Sequence, residues 1–119
     1  MNPKDRKYKF YLDDILLSMD RIAEYINGLE FKQFKQQYMI VDAVVRNFEI
    51  IGEASKHIPL EITSKYPSIP WKKMYGIRNI ITHEYFGIDY EVIWEIAKND
   101  LPLNRIELIK LIEKENLQS

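Results

Sequence analysis

Arg78, Asn79, Thr82, His83 and Tyr85 fall inside one short run, RNIITHEY, which sets a cation, an amide, a hydroxyl, an imidazole and a phenol among isoleucines. A guanidinium keeps its charge at any physiological pH and grips two phosphate oxygens through its planar fork. An imidazole, with an ordinary pKa of about 6.5, can take or give a proton near neutrality. Cleaving RNA needs both functions: the ribose 2′-hydroxyl must lose a proton, the leaving 5′-oxygen must gain one, and charge building on the phosphoryl oxygens needs a fixed cation. Arg78 and His83 are therefore the candidate catalytic pair. Asn79 could orient His83 or bind phosphate, Thr82 is a further polar neighbour, and Tyr85 could donate a hydrogen bond or accept a transferred group.

The geometry expected is one helix over residues 70 to 85. On it Met74, Ile77, Ile80 and Ile81 gather on a core-facing side, and Tyr75, Arg78, Asn79, Thr82 and His83 share the opposite arc. Asn79 and His83 are then neighbours at i, i+4, and Arg78 lies on the stripe of Tyr85 at i, i+7. The same residue types also furnish any solvated helix face, and spacing by itself favours that plainer reading. Tyr85, between Glu84 and Phe86, could equally be a ring that packs the end of a helix.

The elements that would carry these residues read as helices. Leu12, Ile15, Leu16, Met19, Ile22, Ala23 and Ile26 recur at helical spacing over residues 11 to 27, and Gly28 follows as a stop. Phe31–Gln36 reads as a linker or a single turn. Val41, Val44, Val45, Phe48, Ile51 and Gly52 mark a second long helix, and Ile40, Ala43, Ile50 and Ala54 widen its apolar surface enough to suggest a subunit interface. Three prolines interrupt HIPLEITSKYPSIPW, with Ser68 as a cap ahead of the motif helix. Asp89 is the expected cap of a fourth helix with Val92, Ile93, Ile96 and Ala97. Asp100 is that of a fifth with Leu103, Ile106, Ile109 and Ile112. No strand is expected, so the fold class is all-α: a compact bundle of about five helices.

Composition bounds the rest. The 119 residues, 46% hydrophobic and 29% charged, suit a single domain over residues 1–119. No apolar run nears the roughly 20 residues of a bilayer span, and no signal-peptide core follows the lysine-rich start, so the cytoplasm is the expected compartment. The absence of cysteine excludes thiolate metal sites, and the two histidines lack zinc-site spacing, so neither a metal nor a cofactor is expected. A net charge of −1 is low for a dedicated nucleic-acid binder, yet Lys72 and Lys73 precede Arg78 closely enough for a local phosphate track. His57, before Pro59, reads as a helix-end residue with no catalytic part, and Trp71 and Trp94 as packing anchors.

Taken in order, LDDILLSMDRIAEYI, AVVRNFEIIGEASKHIP, YPSIPWKKMYGIRNIITHEYFGID and IWEIAKNDLP resemble HEPN-domain proteins of the HepT-like branch, whose signature is Arg, four residues, His, one residue, Tyr. The resemblance covers nearly the whole chain. It implies a helical homodimer in which motif segments from two subunits meet in one cleft, and metal-independent RNA cleavage by Arg78 and His83. It also implies a type VII-like toxin-antitoxin pair, in which a minimal nucleotidyltransferase antitoxin of the MntA type modifies Tyr85 with AMP. A non-catalytic HEPN module that binds a nucleotide or a partner is the alternative.

Overall fold

A computed structural model describes residues 8–83 and 87–117, with Thr82 and His83 described in backbone alone. Its frame is a pair of long helices, α1 (Tyr8–Ile26) and α3 (Tyr38–Ser55), joined by the short α2 (Phe31–Gln36). In α1 the buried positions Tyr8, Leu12, Ile15, Met19, Ile22 and Ile26 alternate in steps of four and three. Val41, Val44, Phe48 and Ile51 do the same in α3. That alternation keeps one narrow stripe of each helix turned to the other. Tyr11 near the start of α1 stacks on His57 just past the end of α3, with ring centroids 4.4 Å apart, so the two helices run antiparallel. Side chains such as Leu12, Ile15, Ile22, Val44 and Phe48 are fully buried. Each contributes about 1.5–3 kcal/mol through removal of apolar surface from water. Ala23, expected in the stripe, is exposed.

Two polar groups interrupt the seam. Ser55 Oγ donates to the Gly52 carbonyl at 2.9 Å, and Asn47 Nδ2 donates to the Ala43 carbonyl at 2.9 Å, while Asn47 Oδ1 is buried without a partner. Gly28 ends α1 at a φ of +80°, the left-handed conformation that a Cβ disfavours.

Beyond α3 the chain forms α4 (Leu60–Lys65), α5 (Trp71–Tyr75) and α6 (Ile77–Ile81). It continues through strands β1 (Thr82–His83) and β2 (Gly87–Ile88) into α7 (Tyr90–Glu95), a π-helical turn over Ile96–Asp100, and α8 (Leu101–Lys114). The all-α class holds, with three corrections. The helix expected over residues 70 to 85 is divided at Gly76, and past Ile81 it gives way to a two-residue antiparallel ladder pairing Thr82 with Ile88 and His83 with Gly87. The β-branched run Ile80-Ile81-Thr82 has low helix propensity, and Gly87 at a φ of +81° supplies the bend that brings β2 back. Second, Ser68 caps nothing. Its hydroxyl donates to Glu107 at 3.2 Å, and the N-cap of α5 is Pro70.

The third correction concerns Asp100. Asp89 caps α7 as expected, accepting from the Val92 N–H at 3.2 Å. Asp100, however, is helical and uncapping, because α7 runs through the π turn into α8. Pro102 accounts for this, since a proline inside a continuous helix removes one i→i−4 bond and crowds the carbonyl four residues back. Widening the preceding turn, where the Leu101 N–H bonds the Ile96 carbonyl, relieves the clash without ending the helix. Besides the Ser68–Glu107 bond, two charged cross-links tie down α8 and its end. Arg105 forks onto Asp20 of α1 at 2.6 and 3.4 Å, and Glu115 takes both Lys65 Nζ at 2.8 Å and the Tyr66 hydroxyl at 2.5 Å.

Candidate active site

Arg78 sits on α6, a helix of five residues held by its ends: Ile77 and Ile81 are buried and leave Arg78, Asn79 and Ile80 exposed between them. The position of α6 is set by glycine in α3. A Cβ placed on Gly52 would lie 3.0 Å from Ile77 Cγ2 and 3.1 Å from the Met74 carbonyl oxygen, so only a residue without a side chain lets α3 approach the α5–α6 junction this closely. Gly76 lies at that junction. It closes α5 with a bond from its N–H to the Lys72 carbonyl at 3.3 Å and opens α6 by accepting from the Asn79 N–H at 3.0 Å. Trp71 fixes the other end of α5, buried with its indole N–H donating to the Tyr66 carbonyl at 3.0 Å.

The division at Gly76 and the turn into β1 revise how the motif residues are related. Arg78 and Asn79 belong to α6, whereas Thr82 and His83 belong to β1, so Asn79 and His83 are not i, i+4 neighbours on one helix. The backbone of His83 is held instead by its pairing with Gly87, and the Ile81 carbonyl accepts from the Asp89 N–H at 2.8 Å. Tyr85, the candidate for modification, and with it the i, i+7 relation expected to Arg78, lies outside the described residues. Lys72 and Lys73 are exposed on α5, one helix earlier.

A groove of about 520 Å³ runs between α5–α6 and the α7–α8 segment, lined on α6 by Ile77 and Ile80 and not by Arg78. Lys73, Ile77 and Ile80 border it on one side, and Glu95, Asp100 and Leu103 on the other. Ile80 and Leu103 are exposed at 39% and 65%. Sequence patterning missed this groove, because the wheel drawn for a single helix turned Ile80 inward. The glycine within an apolar helix at position 52 was the available signal of a close approach.

Other residues are accounted for by local structure. Glu53 is exposed and pairs with Lys56 at 3.3 Å, and His57 stacks on Tyr11. Trp71 is a buried anchor as expected, while Trp94 is half-buried against Phe31 and Phe34. Among the described residues no group of three His, Asp or Glu side chains is placed to hold a metal ion. Nor, among them, is any helix long and apolar enough to cross a membrane.

Comparison with known proteins gives the family of the chain. The family model described as Ribonuclease HepT-like matches residues 15–114. A Methanocaldococcus jannaschii protein named as a candidate RNase is 45% identical over 97 residues, 82% of this chain and 89% of its own. A Thermococcus cleftensis protein named probable ribonuclease HepT is 40% identical over 97 residues, 82% of this chain and 88% of its own. A candidate RNase of Caldanaerobacter subterraneus is 36% identical over 105 residues, 88% and 94% of the two chains. No solved structure gives a significant match.

Proposed function

This chain belongs to the HepT-like family, and on that basis we propose that it is a metal-independent endoribonuclease that works as a homodimer. Arg78 clamps the scissile phosphate and His83 moves the proton. The observation that carries this reading is the join of α6 to β1, which holds Arg78 outward on a short pinned helix and follows it at once with His83 on a paired strand, in a chain whose relatives are named as ribonucleases. In the reaction the 2′-oxygen gives up its proton to an imidazole and bonds to phosphorus. The Arg78 guanidinium offsets charge on the non-bridging oxygens, and the 5′-oxygen leaves with a proton, giving a 2′,3′-cyclic phosphate and a 5′-hydroxyl.

One imidazole serves poorly as base and acid in the same turnover, so a second copy of the site completes the cleft. The groove lined by Ile77 and Ile80 of α6 supports the pairing. Its α5 lip carries Lys73 and its opposite lip carries Glu95 and Asp100, with Ile80 and Leu103 exposed between. A two-fold rotation sets the basic lip of one copy against the acidic lip of the other, the self-complementarity that an isologous interface requires. The same reading makes the chain the toxin of a pair, silenced when a minimal nucleotidyltransferase of the MntA type transfers AMP to Tyr85. The added phosphate brings negative charge into the motif, two residues from His83 in sequence, and opposes an RNA phosphate there.

Inducing wild type, His83→Ala and Tyr85→Phe in separate cultures tests the proposal, with growth and total RNA followed. Arrest with new fragments ending in cyclic phosphate is expected for wild type and Tyr85→Phe and not for His83→Ala. Intact RNA in all three, from soluble dimeric protein, would leave a module that binds without cutting.

A further inference from the structure

Helix α7 has a second working side. Val92 and Ile96 border the groove next to α6, whereas Trp94 meets α2, lying 5.2 Å from the ring of the fully buried Phe34 and 6.1 Å from that of Phe31, tilted 42° and 48°. Phe31 and Trp94 are each half-buried, packed against the core and partly open to solvent. A lysine lies over each. Lys35 Nζ is 5.4 Å from the Phe31 centroid and Lys98 Nζ is 5.8 Å from that of Trp94, both at i, i+4 on their own helices. Lys32 adds a third exposed ammonium on α2. Of the nearby acids, Glu95 accepts from Asn99 Nδ2 at 2.8 Å, and Glu30 and Glu91 are exposed.

Two partly exposed rings 6.1 Å apart, each with an exposed lysine over it, form a surface patch that combines aromatic area with positive charge. We infer that Phe31, Trp94, Lys35 and Lys98 form a stacking platform for single-stranded RNA, separate from Arg78 and reached across α7. The inference rests on the ribonuclease reading and adds to it a contact that holds the strand beyond the scissile bond. Magnitudes favour it. A cation over an exposed ring is held weakly, and both lysines lie near the outer limit of about 6 Å for that interaction. A base stacked on an aromatic ring is held more strongly. A base therefore displaces the ammonium from the ring, and the freed lysine, on its flexible four-carbon stem, finds the phosphate of the same nucleotide. Every base has a π-face, so the contact tolerates sequence.

The chain has two tryptophans, Trp71 buried and Trp94 half-buried, so the change in emission that is lost on replacing Trp94 is the part that reports on the platform. Titrating the full-length His83→Ala protein with a single-stranded oligouridylate should quench that emission. Adding Trp94→Phe should abolish the quenching. Adding Lys35→Ala with Lys98→Ala, both exposed and harmless to folding, should weaken binding about tenfold and flatten the logarithmic salt dependence by about 1.4, the release expected from two single-strand phosphate contacts. Binding that leaves emission, affinity and salt slope unchanged overturns the platform. If wild type cuts RNA and the lysine variants bind as tightly as their parent, the platform alone fails. Absence of both cutting and binding in wild type defeats the ribonuclease reading and the platform with it.

Discussion

At Arg78 the chemistry asks for a fork as well as a charge. A lysine there keeps the cation but offers a point in place of two parallel N–H donors, so it cannot follow the phosphate into the geometry in which charge builds on two oxygens. Arg78→Lys should therefore lower kcat by about 10²-fold, the scale of losing one preorganised donor, with a smaller change in KM. Because Arg78 is exposed on α6, its circular dichroism and thermal midpoint should match wild type. A parallel fall in kcat and in stability would show that Arg78 holds the fold and not the phosphate. At this scale the sequence raised Arg78 and His83 as candidates by residue type, and the family resemblance, not their spacing, tipped the reading toward catalysis. It could not say how they are presented, since side-chain chemistry carries no record of where a helix stops.

Between elements, the decisive contact is α3 against the junction of α5 and α6. A branched side chain at position 52 would drive into Ile77 and the Met74 carbonyl, which lie 3.0 and 3.1 Å from the first carbon it would add. Gly52→Val should cost about 1–3 kcal/mol by overpacking, and should reduce RNA cleavage further than its stability loss explains, because displacing Ile77 displaces its neighbour Arg78. Cleavage measured well below the midpoint of unfolding separates the two effects, and undiminished cleavage there would uncouple Gly52 from the site.

The helices α1 and α3 and the cap at Asp89 were legible because periodicity and capping are local properties. The division at Gly76, the ladder after Ile81 and the continuity of α7 with α8 were not. Gly76 is one residue in an otherwise helical pattern, and its effect depends on Gly52, which is distant in sequence. Asp100 before Leu101-Pro102 reads as a helix start by every local rule, and only the π turn over Ile96–Asp100 lets the chain pass through.

Across the whole molecule, the last turn of α8 is secured by charge. Glu115 binds Lys65 and the Tyr66 hydroxyl, and its carboxyl is held below the usual carboxylate range, first by the hydrogen bond from Lys65 and then by that from Tyr66. Tyr66 is pushed up to about 12 by burial and by the Glu115 carboxylate that accepts its proton. A depressed carboxyl stabilises the fold above its unfolded pKa and loses that contribution as pH falls through the folded value. A raised tyrosine contributes fully below its unfolded pKa of about 10 and loses that as pH rises toward about 12. Stability should therefore decline at both acid and strongly alkaline ends. Glu115→Gln should flatten both limbs relative to wild type in denaturant titrations run across pH, and limbs of unchanged steepness would remove this clamp from the account.

The early position of the α1–α3 pair along the chain sets an order of events. Its stripes lie within residues 8 to 55, close in sequence, so they can find each other while residues 77 to 88 are still being synthesised, whereas α6 docks only onto a finished α3. A nascent chain thus acquires a core before it acquires Arg78 in register, so the segment proposed to cut RNA docks late, while the chain is still beside the ribosome. Substitutions at Val44 or Ile15 should then slow folding, while those at Ile77 or Ile81 should mainly hasten unfolding, a partition that stopped-flow kinetics would reverse if α6 were part of the nucleus.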